Sequence, residues 1–152
     1  MRQERPFEVS ALLAEFERHT GARHSVAFGA DGLLLGHTSQ EADTDAWVRA
    51  EQLAPSCFAL TSLAKNAAAW WPPRPGQDPP SPAQECDHLL IRHHTCRGEP
   101  WWLLVVAIPG WGGLATELPP APNPPSLPQV LSALVACADQ VQGVLVAARK
   151  AS

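Results

Sequence analysis

The stretch CDHLLIRHHTC, residues 86–96, places His88, His93 and His94 between Cys86 and Cys96. Thiolates and imidazoles at this density are the ligand types of a zinc site. The segment also reads as a β-strand from Cys86 to Thr95. A strand rises about 3.3 Å per residue, so the two cysteines would stand ~33 Å apart. A straight strand cannot bring both ends to one ion, and no metal ligand set is expected within a single chain. Other chemistry is scarcer. No GxxxxGK[ST], GxSxG or HExxH pattern occurs, which removes the P-loop, the hydrolase nucleophile turn and the zinc-protease helix. Trp111-Gly112-Gly113 follows Pro109-Gly110 and reads as a tight turn. Asp31 precedes Gly32 and reads as a turn residue rather than an acid catalyst. Cys57 and Cys137 fall in apolar helical patterns as small core residues. No catalytic residue, metal or cofactor is expected.

The elements around these residues follow from periodicity. Val9, Leu12, Leu13 and Phe16 keep helical spacing, which predicts helix 1 over Glu8–Thr20 with Gly21 just past its end. SVAFGADGLLLGHTS then reads as a hairpin turning at Asp31-Gly32, with strands at His24–Gly29 and Leu33–His37. Helix 2 spans Asp43–Trp70, with a kink or break expected at Pro55. Leu53, Cys57, Leu60, Ala64, Ala67 and Trp71 form one apolar stripe on it. Trp47, Ala54, Phe58 and Thr61 form a second. Lys65 is the sole charge between Gln52 and Pro73. A helix apolar nearly all round is buried on more than one side. Strand 3 is the opening segment, strand 4 is Trp101–Ile108 and strand 5 is Gly112–Leu118. Helix 3 spans Leu127–Lys150, with Pro128 in its first turn. Proline-rich loops occupy 72–85 and 119–126 and cannot be helix or central strand.

The chain has 152 residues and a formal net charge of −4, sized for one domain over 1–152. Neither a basic patch for nucleic acid nor a membrane-spanning run is present in the sequence. Met1–Arg5 is charged and lacks the apolar stretch of a signal peptide. A cytoplasmic protein is expected, without disulfides.

The order α-β-β-α-β-β-β-α implies an α+β domain with an antiparallel sheet. Within it, LLAEFERHTGARHSVAFGADGLLLG and RAEQLAPSCFALTSLAKNAA resemble the roadblock/dynein light-chain family, a profilin-like fold. Leu12, Leu13, Phe16, Gly21–Val26, Asp31-Gly32 and Ala50–Ala54 carry the resemblance, which covers about residues 7–70. Pro55 and the 72–85 loop depart from the family pattern. The resemblance implies a five-stranded antiparallel sheet with helix 2 on one face and helices 1 and 3 on the other. It also implies a homodimer through helix 2 and strand 3, and a small Ras-like GTPase as partner in a bacterial signalling module.

On that basis Trp47, Arg49, Ala50, Leu53, Cys57 and Leu60 are the expected partner-binding residues. Phe58, Thr61, Leu89, Ile91 and His93 are the expected dimer contacts. Antiparallel pairing of two copies of strand 3 about Ile91 would set His88 opposite His94 of the partner subunit, and Cys86 opposite Cys96. With the register open, these are read as surface residues. The role is a non-enzymatic regulator or adaptor. The alternative is a sensory α+β domain holding a small molecule between sheet and helix.

Overall fold

The computed structural model describes residues 4–38, 44–70, 76, 88–94 and 96–151. Cys86, Thr95 and most of the 72–85 loop lie outside these. The elements are α1 (Glu4–Thr20), β1 (Arg23–Gly29), β2 (Leu34–His37), α2 (Thr44–Trp70), β3 (His88–His94), β4 (Pro100–Ile108), β5 (Gly112–Leu118) and α3 (Leu127–Lys150). They form a five-stranded sheet ordered β2-β1-β5-β4-β3, antiparallel at every pairing. Architecture and element order match the expectation, with helices on both faces.

The element boundaries differ for local reasons. α1 begins at Glu4 rather than Glu8. Pro6 falls in its first turn, where backbone N–H groups have no intrahelical partner to lose. β2 begins at Leu34 because Leu33 belongs to the turn. Its carbonyl accepts from Gly29 N (2.8 Å) and its N–H donates to Asp31 Oδ1 (3.0 Å). Gly32 has φ 78° and lies against the Phe58 ring, so the hairpin tip is held down by α2.

Of the kink or break expected in helix 2 at Pro55, the break does not occur. α2 runs unbroken through Pro55 for 27 residues. Pro55 is exposed, between buried Ala54 and Cys57. The backbone carbonyl it deprives of a donor therefore lies on the solvent side, where water can replace the bond. Ser56 Oγ also donates to Gln52 O at 2.9 Å.

The two faces of the sheet carry separate cores. On one, Val9, Leu13 and Phe16 of α1 and Val130, Leu134, Val141 and Leu145 of α3 bury Leu104, Val106, Ile108 and Leu114. α3 is long and apolar enough to span a bilayer by length and composition, but its apolar stripe is buried in this core. Ser126 caps its start by accepting from Gln129 N at 3.3 Å. On the other face, Ala50, Ala54 and Cys57 of α2 lie on Val26, Phe28, Val105 and Ala115. Gly112, at φ 143°, makes the close β1–β5 approach possible, since a Cβ there would overlap the Phe28 carbonyl oxygen.

Candidate functional site

Among the described residues, the α2 side of the sheet is incompletely covered. α2 packs mainly on β1 and β2 and less on β5 and β3. The residues of β3 and β4 that point to this side follow from the register, in which Leu89 faces Val105, Ile91 faces Leu103 and His93 faces Trp101. Leu89, Ile91, Trp101 and Leu103 are half-buried, and His93 is exposed. His93 and Trp101 stack at 6.1 Å between ring centroids. β3 is also the outer strand of the sheet. Along its seven residues, every second one directs its backbone donor and acceptor to the far edge, the kind of edge that monomers usually protect.

The outer side of α2 continues this surface. Leu63 is 64% exposed and Val48 47%. Pro55 and Ala59 are exposed and Leu60 is half-buried. Val48, Ala59 and Leu63 are missing from the expected interface sets. The signal that could have found Ala59 and Leu63 is the single charge, Lys65, between Gln52 and Pro73, which marks more than one apolar side without ranking its residues.

The expected partner-binding set divides. Ala50 and Cys57 are 6% and 0% exposed, in the core beneath α2. That face of the helix lies on its own sheet, which corrects their assignment to a partner surface. The buried line takes Ala54 from one expected stripe and Cys57 from the other. These small residues let the helix approach the sheet closely, while larger Leu53 and Phe58 flank them. Arg49 is exposed. The side chain of Trp47 lies outside the described residues. Of the expected dimer contacts, Phe58 and Thr61 are half-buried, with Phe58 against Gly32 and Thr61 Oγ1 donating to Phe58 O at 2.8 Å.

Arg49 and Leu53 share a cleft of about 370 Å³ with His24, Gln52, Ser56 and Glu117. His24 has φ 53°, an uncommon backbone state for a residue with a side chain. It falls where the β1–β5 register shifts between Arg23 and Val26. Beside it, buried Ser25 shares a 2.8 Å hydrogen bond with Thr116. Two further clefts, of about 260 and 470 Å³, flank Trp111 at the opposite end of the sheet. All three open to solvent, unlike the sheet–helix cavity that a sensory domain would need.

The two buried thiols are poorly suited to catalysis. Burial pushes the Cys57 thiol up to about 12 and the Cys137 thiol up to about 11. Glu117 and Glu15, respectively, push in the same direction. Both thiols stay protonated and inert as nucleophiles at neutral pH. Among the described residues, no group of three or more His, Cys, Asp or Glu side chains could hold a metal within one chain.

Sequence comparison finds no matching family model and no matching curated protein. Structural comparison finds clear relatives of the fold. A roadblock/LC7 domain from Streptomyces avermitilis superposes with a TM-score of 0.65 at 14% identity, covering 90% of this chain and 97% of that one. Myxococcus xanthus MglB gives 0.61 at 15% identity, covering 92% and 96%. An MglB described as having a tetrameric arrangement gives 0.62 at 17% identity, covering 91% and 88%. The fold is that of a roadblock/LC7 domain, as the sequence resemblance implied.

Proposed function

We infer that this roadblock-like chain is a non-enzymatic regulator or adaptor of a small Ras-like GTPase in a bacterial signalling module, and that it works as a homodimer. The observation that carries this reading is the open α2 side. Among the described residues, the outer face of α2 is apolar, the outer edge of β3 has no pairing strand, and α2 covers its side of the sheet only in part. A second copy bringing its own α2 and β3 would cover both features and continue the sheet. Arg49, at the rim of that face, would then be presented twice on one side of the dimer, as part of a docking surface for the GTPase. The chain has no P-loop of its own, so its part would be to position the groups of the GTPase. Phosphoryl transfer depends mainly on positioning and electrostatics, so a protein without catalytic residues can still alter its rate.

Two measurements test this reading. Light scattering at micromolar concentration should give about twice 16.3 kDa. A Ras-like GTPase from the same source should co-elute with the dimer in one nucleotide state and lose the association with Arg49→Glu, since rim charges act mainly on encounter. A monomer at all concentrations, or no nucleotide-dependent association, would overturn it.

A further inference from the structure

We propose that the cleft between α2 and the C-terminal part of β5 receives a basic side chain of the GTPase, with Glu117 as the carboxylate that pairs it. This rests on the GTPase reading above and adds the charge that the partner must bring. The cleft lies within one chain, so it needs no second copy.

One wall is a single stripe of α2. Arg49, Gln52, Leu53 and Ser56 follow i, i+3, i+4, i+7, and the cleft they line holds about 370 Å³. The opposite wall is the sheet. Glu117 is fixed there from both sides, paired with Arg23 of β1 and Leu103 of β4. Leu103 and Ala115 belong to the core on the α2 side, and Glu117 shares their face. It lies near enough to buried Cys57 to help push that thiol up. The carboxylate is therefore at the floor of the cleft, half-buried. Beside it, the register shift between Arg23 and Val26 inserts an extra residue. His24, at φ 53°, joins the cleft wall, as bulges that re-aim a side chain do.

Among the described residues, no hydrogen bond or ion pair reaches the Glu117 carboxylate. A carboxylate partly stripped of water is stabilised by a charge-assisted partner. The surrounding groups suit a cation with several donors. Ser56 Oγ spends its proton on Gln52 O, which leaves its lone pairs for an incoming N–H. Leu53 offers an apolar side for an aliphatic stem. A guanidinium, whose planar fork matches a carboxylate, fits this set best. An acidic side chain in the same place would set two carboxylates against each other.

The test follows binding of a Ras-like GTPase from the same source by biolayer interferometry, in each nucleotide state. Glu117→Gln should raise the dissociation rate about tenfold or more, as loss of a charge-assisted bond does, with association nearly unchanged. Arg49→Glu should act instead on the association rate. In urea titration Glu117→Gln should keep the parent's midpoint, because its carboxylate has no partner to lose within the chain. Equal dissociation rates for the parent and Glu117→Gln overturn the cleft and leave the GTPase reading standing. So does a Glu117→Gln midpoint below the parent's, since the carboxylate would then be held within the chain. A parent that binds the GTPase in neither nucleotide state overturns the GTPase reading, and the cleft with it.

Discussion

The two faces of the sheet are built to different standards. The α1/α3 face is a finished core, in which long aliphatic side chains such as Leu13, Leu104, Ile108 and Leu134 are fully buried. The α2 face is thin. Ala50, Ala54 and Cys57 of α2 bury Val26, Phe28, Val105 and Ala115 there, while Leu53, Leu89 and Leu103 are only partly covered. Burial of apolar area stabilises by about 25 cal/mol per Å². Most folding stability therefore resides on the first face, and the second is left with apolar area that association can still remove from water. The contrast shows how one small sheet can bury a full core on one side and keep apolar area exposed on the other.

That contrast can be broken by mutation. The largest effect is expected from Leu134→Ala on the finished face. Leu134 is 0% exposed, and the cavity should lower unfolding free energy by about 2–5 kcal/mol in urea titration. A loss under 1 kcal/mol would mean the face is not close-packed. On the α2 face, Ala54→Leu should cost about 1–3 kcal/mol by lifting the helix from the sheet. It should also weaken the dimer, because α2 would sit wrongly for its copy. Ile91→Asp sharpens the comparison further. It should cost the monomer less than about 1 kcal/mol, as half-exposed positions do, yet abolish dimerisation at micromolar concentration in light scattering. If it unfolds the monomer instead, β3 belongs to the core rather than to an interface.

The smallest effect concerns a polar flaw on the α1 side. Glu17 has a buried Oε2 without a hydrogen-bond partner. Burial raises its carboxyl above the ordinary value of 4.5, against the lowering influence of Thr38, Ser25 and His24. The folded state therefore binds this proton more readily than the unfolded chain. Stability from this group is greatest in acid and falls as pH climbs through the raised value. Glu17→Gln removes that loss. It should be more stable than the parent at pH 7, and the two should converge below pH 4.5. A parent that stays the more stable at pH 7 would show that the carboxylate is well solvated.

Much of this was legible in residue order. The hairpin at Asp31-Gly32, the β5 bounds and the α3 bounds came from turn chemistry and periodicity, which are local properties. Pro55 misled because its cost depends on which side of α2 meets water, and no local pattern states that. The exposed apolar surface was legible as a class, through the charge-poor stretch of α2 after Gln52 and the edge strand. Its membership was not, since Ala50 and Cys57 were assigned outward and Val48, Ala59 and Leu63 were not named.

The sequence by itself determined the order of elements, the antiparallel sheet and the lack of a known catalytic motif, because each rests on neighbours within a few residues. Only the tertiary structure decided which side of α2 goes down onto the sheet. A helix apolar all round carries little directional preference of its own. Its orientation was selected by the fit of Ala50, Ala54 and Cys57 against strands distant in the chain, and that fit left Leu63 and the free edge of β3 facing outward.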